Sequence, residues 1–300
     1  MWKSALWLLV PVLGLAELGA QFYDARRAPR EAEWQDIAPV IRRMRSDGEA
    51  VIVAPYWAEP WARHVLGDGQ MPLAQVARPD ASPFPRVVEV SILGQNAPEL
   101  RGWQVEQSEQ HGRFRVRVMS NPEPISIRYD FVNALGPAAV HVRGPSGECV
   151  WTERARVENG GLGGHPTYPA HRFNCSGGGS HFVGVTVIDD KDYRPRRCIW
   201  ASPAVGGPLS VTFKDVPLGA SIYGYAGSPW VMVRDGDGSP VTLQARVNGE
   251  VVGSHVQRDQ MGWARFSFST AQFSGRRAAV EFSVTSDDYQ KPFCFYADAR

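Results

Sequence analysis

The stretch Asp189-Asp-Lys-Asp-Tyr-Arg-Pro-Arg-Arg-Cys-Ile-Trp200 packs three acids, four bases and a cysteine into twelve positions. Asp189, Asp190 and Asp192 are hard oxygen donors on a short stretch, the donor type that can wrap Ca2+. The same residues, following a strand-like run at Phe182–Ile188, also form an ordinary solvated turn, and that is the first reading. Asp235-Gly-Asp-Gly238 poses the same choice: it lacks the remaining acids and the distal glutamate of an EF-hand, so it reads as a hairpin turn. His165, His171 and His181 lie near one another in sequence, but their spacing fits no zinc motif. No G-x-S-x-G, H-E-x-x-H, P-loop or dinucleotide fingerprint occurs. No catalytic residue is therefore assigned, and a hydrolase has no specific support beyond the carboxylate pairs that 31 acids always offer.

A second group of residues suits a different chemistry. Flat aromatic faces stack on pyranose rings, and neighbouring carboxylate, amide or guanidinium groups bond the hydroxyls. Tyr223, Tyr225, Trp230 and Trp263, with Arg234, Asp259 and Asp288, form such a set in the last eighty residues, and Tyr289 and Tyr296 extend it. Each aromatic alone reads equally as core, Trp263 most of all because it stands in an alternating strand.

The elements that must position these residues follow from composition and periodicity. Three hundred residues, 43% hydrophobic, can bury a sizeable core. With 32 basic and 31 acidic residues the net charge is +1, which excludes a dedicated nucleic-acid binder. Residues 1–22 carry Lys3 and then an apolar run ending in small residues, the pattern of an export signal or a membrane anchor. Arg26, Arg27 and Arg30 after the run would by themselves favour a cytoplasmic C-terminal side. Cys149, Cys175, Cys198 and Cys294 argue for export: an even number without C-x-x-C spacing reads as two disulfides, with three pairings open.

Trp34, Ile37, Ile41 and Met44 recur at helical spacing. Glu49–Pro55 is a short continuous apolar run, the mark of a strand buried on both faces, Arg86–Leu93 is a second buried strand, and a helix over 57–66 ends at Gly67, giving a small α/β unit over 31–100. A middle β-rich region, 101–200, has alternating runs at Phe114–Met119 and Ile125–Tyr129 and a long glycine-rich loop at 160–180. In 201–300, runs at 209–213, 241–247, 263–268, 279–284 and 293–296, with an Asn248-Gly249 hairpin, predict a jelly-roll β-sandwich. The fold class is mainly β, with the small α/β unit after a hydrophobic anchor.

Two resemblances follow from these residues. The helix, the EAVIVAP strand and Trp57-Ala-Glu-Pro-Trp-Ala-Arg-His-Val-Leu66 resemble the exported tail of bacterial protein-mannosyltransferase-like (family 39) glycosyltransferases. Pro240–Gly253, Gly262–Phe268 and Ala279–Val284 are similar to galactose-binding-like jelly rolls found as carbohydrate-binding modules. Together they imply a non-catalytic, exported protein of the bacterial envelope, secreted or held at the inner membrane by its N-terminal segment. Its partner would be a glycan or an envelope glycosyltransferase. The alternatives are a structural or protein-interaction module, and a subunit or remnant of a polyprenyl-phosphate-sugar-dependent glycosyltransferase.

Overall fold

The computed structural model describes residues 2–157, 167–176, 181–203, 206–236, 238–288 and 291–300. The chain divides into two compact units, the first made of residues 1–72 and 84–123, the second of 73–83 and 124–300.

The first unit opens with helix α1 (Trp2–Arg27), on which Val10, Leu13, Leu15 and Phe22 are exposed. Among the described residues no helix is long and apolar enough to cross a membrane. Helix α2 (Glu31–Met44) buries Trp34, Ile37, Ile41 and Met44, the face that the spacing predicted. Strand β1 (Ala50–Ala54) pairs in parallel with β2 (Arg86–Ser91). Helix α3 (Glu59–Leu66) lies between them in the chain and ends where Gly67 takes a left-handed φ of 71° and returns its amide to the Arg63 carbonyl. Strands β3 (Gln104–His111) and β4 (Phe114–Ser120) complete a sheet of order β1-β2-β4-β3. The unit therefore extends to residue 123, beyond the expected boundary at 100, because β4 pairs with β2 and supplies the inward Phe114, Val116 and Val118.

The alternating runs Phe114–Met119 and Ile125–Tyr129 belong to different units. Only Tyr129–Asp130 (β5) is strand, and it pairs with the last strand of the chain. The 101–200 region is likewise no separate body. Its later strands share sheets with the C-terminal hundred residues.

The second unit carries a short helix α4 (Leu73–Val76), then β5 and the strands β6 (Val140–Gly144), β7 (Gly147–Glu148), β8 (Val150–Thr152) and β9 (Arg172–Asn174). These are followed by β10 (Phe182–Asp189), β11 (Pro195–Ala201), β12 (Leu209–Pro217) and β13 (Ser221–Gly227). Helix α5 (Trp230–Asp235) precedes β14 (Val241–Val247), β15 (Glu250–Gln257), β16 (Ala264–Ser269), β17 (Arg277–Thr285) and β18 (Cys294–Ala299). One sheet has the order β16-β13-β18-β11-β10-β9-β8, with β5 added on β18; the other has the order β15-β14-β17-β12-β6-β7. Their inner faces share a core in which Phe131, Phe213, Phe282 and Phe295 interlock edge to face or tilted. This is the β-sandwich that the alternation predicted. The glycine-rich loop expected at 160–180 contains β9, and residues 158–166 and 177–180 lie outside the described residues.

Two disulfides form, Cys149–Cys175 and Cys198–Cys294. The second joins β11 and β18, which are neighbours in the sheet although 96 residues apart.

The outer face of β13 and β18 is closed by residues 73–83 through charge. Asp298, fully buried, accepts from Arg300 Nε at 2.5 Å and from the Tyr296 hydroxyl at 2.9 Å. Arg300 reaches on to Asp80 at 3.0 Å and Ser82 at 3.1 Å, while its guanidinium lies 3.8 Å over the Tyr223 ring. Arg78 donates to the Tyr296 hydroxyl and pairs with Asp130 at 3.4 Å. Burial pushes the Tyr296 hydroxyl far up, so it stays a proton donor to Asp298 at all working pH. Removing one partner of such a buried pair leaves the others uncompensated. Asp298→Ala is expected to lower stability by about 3–5 kcal/mol, read as an earlier denaturant midpoint, with faster proteolysis within residues 73–83.

Candidate functional site

Four segments of the second unit meet around the loops that lead into β16 and β18: the β10–β11 turn, α5, the 3-10 turn Asp259–Met261, and the stretch before β18. Helix α5 packs on the 3-10 turn. A Cβ at Gly262 would lie 2.8 Å from Lys191 Cδ, so the β10–β11 turn rests directly on the chain leaving that 3-10 turn. Lys291, from before β18, forms an ion pair with Asp259 at 2.7 Å.

The β10–β11 turn is built around one carboxylate. Asp190 is 2% exposed, and its Oδ1 accepts the backbone amides of Asp192 at 2.8 Å and Arg194 at 3.0 Å. Its Oδ2 takes Arg196 Nε at 2.7 Å. With both oxygens committed, the turn forces Tyr193 to a left-handed φ of 58°, a conformation that a bulky side chain adopts only when its surroundings demand it. The outcome is a tyrosine 66% exposed at the rim. Its ring centroid lies 5.4 Å from that of Trp230, and the Arg234 guanidinium stands 4.8 Å from the Trp230 ring, one helical turn further along α5. An accessible phenol is thus braced by a half-buried indole and a cation.

Asp189, Asp190 and Asp192 therefore do not converge as a Ca2+ site, because Asp190 is consumed by the turn and Arg196. Among the described residues no group of three or more His, Cys, Asp or Glu is placed to hold a metal ion. His165 lies outside the described residues, while His171 stacks on Trp151 and His181 is buried.

The structure divides the expected sugar-binding set. Trp230, Arg234, Asp259, Asp288 and Trp263 come to these loops, with Trp263 packed over Gly227 at the end of β13. Tyr223 and Tyr225 do not. They point outward from β13, bond each other through their hydroxyls at 3.0 Å, and Tyr223 lies beneath Arg300. Burial raises the Tyr225 hydroxyl well above the usual tyrosine range, which keeps it protonated. Tyr296 belongs to the same buried network, and Tyr289 lies outside the described residues. Asp288 and Asp259 hold the DGDG stretch: Gly238 donates to Asp259 at 3.2 Å and Ser239 to Asp288 at 2.5 Å.

Sequence reading missed Tyr193 and Lys291. Tyr193 sits among seven charged neighbours that mark only a turn, and nothing local reports its φ. Lys291 carried one usable signal: a lone lysine directly before Pro292 and the wholly apolar start of a buried strand.

No family model and no curated protein matches the chain. Solved structures do resemble it. The M60 catalytic domain with CBM51-1 and CBM51-2 of Clostridium perfringens ZmpB aligns with 67% of this chain and 20% of its own length, at 11% identity and a TM-score of 0.29. The CBM51 of Clostridium perfringens GH95 in complex with methyl-galactose aligns over 58% of this chain and 95% of its own, at 9% identity and a TM-score of 0.28. The CBM22-1 xylan-binding domain of Paenibacillus barcinonensis Xyn10C covers 50% of this chain and 90% of its own, at 11% identity and a TM-score of 0.28. The chain itself is a mainly β, disulfide-bridged protein.

Asp190→Ala removes the acceptor of two amides and the partner of Arg196. Breaking this buried pair is expected to cost about 3 kcal/mol, and Asp190→Asn less, both read from thermal unfolding.

Proposed function

We propose that this is an exported, non-catalytic glycan-binding protein whose ligand stacks at the loops that lead into β16 and β18. The observation that carries the reading is the exposed Tyr193 ring braced by Trp230 and Arg234. A rigid, amphipathic ring offers contact area with few rotamers to freeze, which suits a pyranose face. Asp288, half-exposed where it takes the Ser239 amide, supplies an acceptor for hydroxyl groups. Two disulfides support an oxidising compartment, and the apolar run of α1 supports passage through the export machinery.

The test is a glycan array followed by calorimetry on the purified chain. Tyr193→Ala and Trp230→Ala are each expected to weaken binding about tenfold or more, equivalent to about 1.4 kcal/mol. Tyr223→Phe, on the other face, is expected to leave affinity unchanged. Absence of any glycan ligand, or affinity indifferent to Tyr193 and Trp230, would overturn the reading.

A further inference from the structure

The same loops contain a cluster that stacking does not use. Lys291 and Asp259 are each only 5% exposed along their side chains, and Nζ lies 2.7 Å from Oδ2. A second carboxylate oxygen, of Asp288, stands 3.8 Å from the same nitrogen. The Gly238 amide donates to the Asp259 oxygen at 3.2 Å, and the Ser239 amide fixes Asp288 at 2.5 Å. Gly238 closes over the pair so tightly that a Cβ there would lie 2.2 Å from Lys291 Nζ. An amine and a carboxyl carbon are thus held together away from water, with an amide donor at the carboxyl oxygen and the half-exposed Asp288 at their edge as proton carrier.

We infer that Lys291 and Asp259 condense with each other, forming an intramolecular amide bond between Nζ and the Asp259 Cγ. The ammonium first passes a proton along the hydrogen bond to Oδ2, leaving an amine and a carboxylic acid in contact. Nζ then attacks Cγ, negative charge develops on Oδ1, and the Gly238 amide holds Oδ2, the oxygen that carries the transferred proton and will leave. Asp288 takes the second proton from nitrogen and returns it to the departing hydroxyl. The Cγ–O bond breaks, one water leaves and Nζ keeps one hydrogen, with no oxidant or reductant involved. Fixed contact between nucleophile and electrophile supplies the effective concentration that a free lysine and aspartate lack in water.

The bond would join the turn after β15 to the chain entering β18, clamping the floor under α5. It is independent of whether a glycan binds.

Peptide mapping of the purified full chain by mass spectrometry tests it. A branched peptide carrying both Asp259 and Lys291 is expected, about 18 Da lighter than its two linear parts together. Asp288→Asn is expected to slow its formation about a hundredfold while the chain still folds cooperatively. Lys291→Arg, which keeps the cation, is expected to abolish it. Separate linear peptides of full mass in the unaltered chain would overturn the inference. A water loss confined to the Asp235–Gly238 peptide, where Asp-Gly can close on itself, would overturn it equally.

Discussion

The second unit depends on burying Asp298 together with the cations that neutralise it. A carboxylate with no exposed surface is tolerable only when its oxygens are bonded and its charge is matched. Arg300, Tyr296 and Arg78 meet that demand, and Arg300 and Arg78 in turn need Asp80 and Asp130. Arg78 and Asp80 lie in residues 73–83, a stretch that the sequence sets between two parts of the first unit. The chain therefore leaves the first unit, closes the outer face of β18 and returns. What would have been an ordinary connection between α3 and β2 becomes a structural part of the sandwich. Apolar burial alone would not have fixed this register, because nearly any hydrophobic segment can cover a sheet face, whereas guanidinium and carboxylate must meet at defined positions.

The same network explains why two expected ligand groups are unavailable. Tyr223 and Tyr225 alternate with inward Ile222, Gly224 and Ala226, so their outward direction was readable in principle. Their cover was not. Gly224 permits the close approach of β18, since a Cβ there would lie 2.2 Å from the Tyr296 carbonyl oxygen, and this closeness brings Arg300 over Tyr223. An aromatic in such a setting serves the fold, and recognition moves to the rim.

Legibility in the sequence followed the distance over which the deciding contacts act. The buried face of α2, the apolar runs of β1 and β2, and the Asn248-Gly249 turn with φ of 49° and 87° rest on neighbours a few residues apart. Their signals were complete in the chain. Strand β13 escaped because Gly224 and Ala226 stand where the large inward residues that mark a strand are expected. The boundary at residue 123 escaped because it depends on β4 choosing β2, and the role of residues 73–83 on Asp80 finding Arg300, 220 residues away. At the candidate site, Trp230, Arg234, Asp259 and Asp288 were legible as residue types suited to sugars, but Tyr193 became visible only with its backbone angle.

Buried charge also orders that rim. Asp190, Asp259 and Asp288 each accept backbone amides from loops, which are the groups least able to find partners within strands. A carboxylate that holds two turns at once orders them without needing apolar area, so the surface above stays polar and accessible. Loops ordered before a ligand arrives lose less entropy on binding than loops that must be ordered by it. The acids of this chain thus act first on its own backbone, and the presentation of Tyr193 and Trp230 follows from that use.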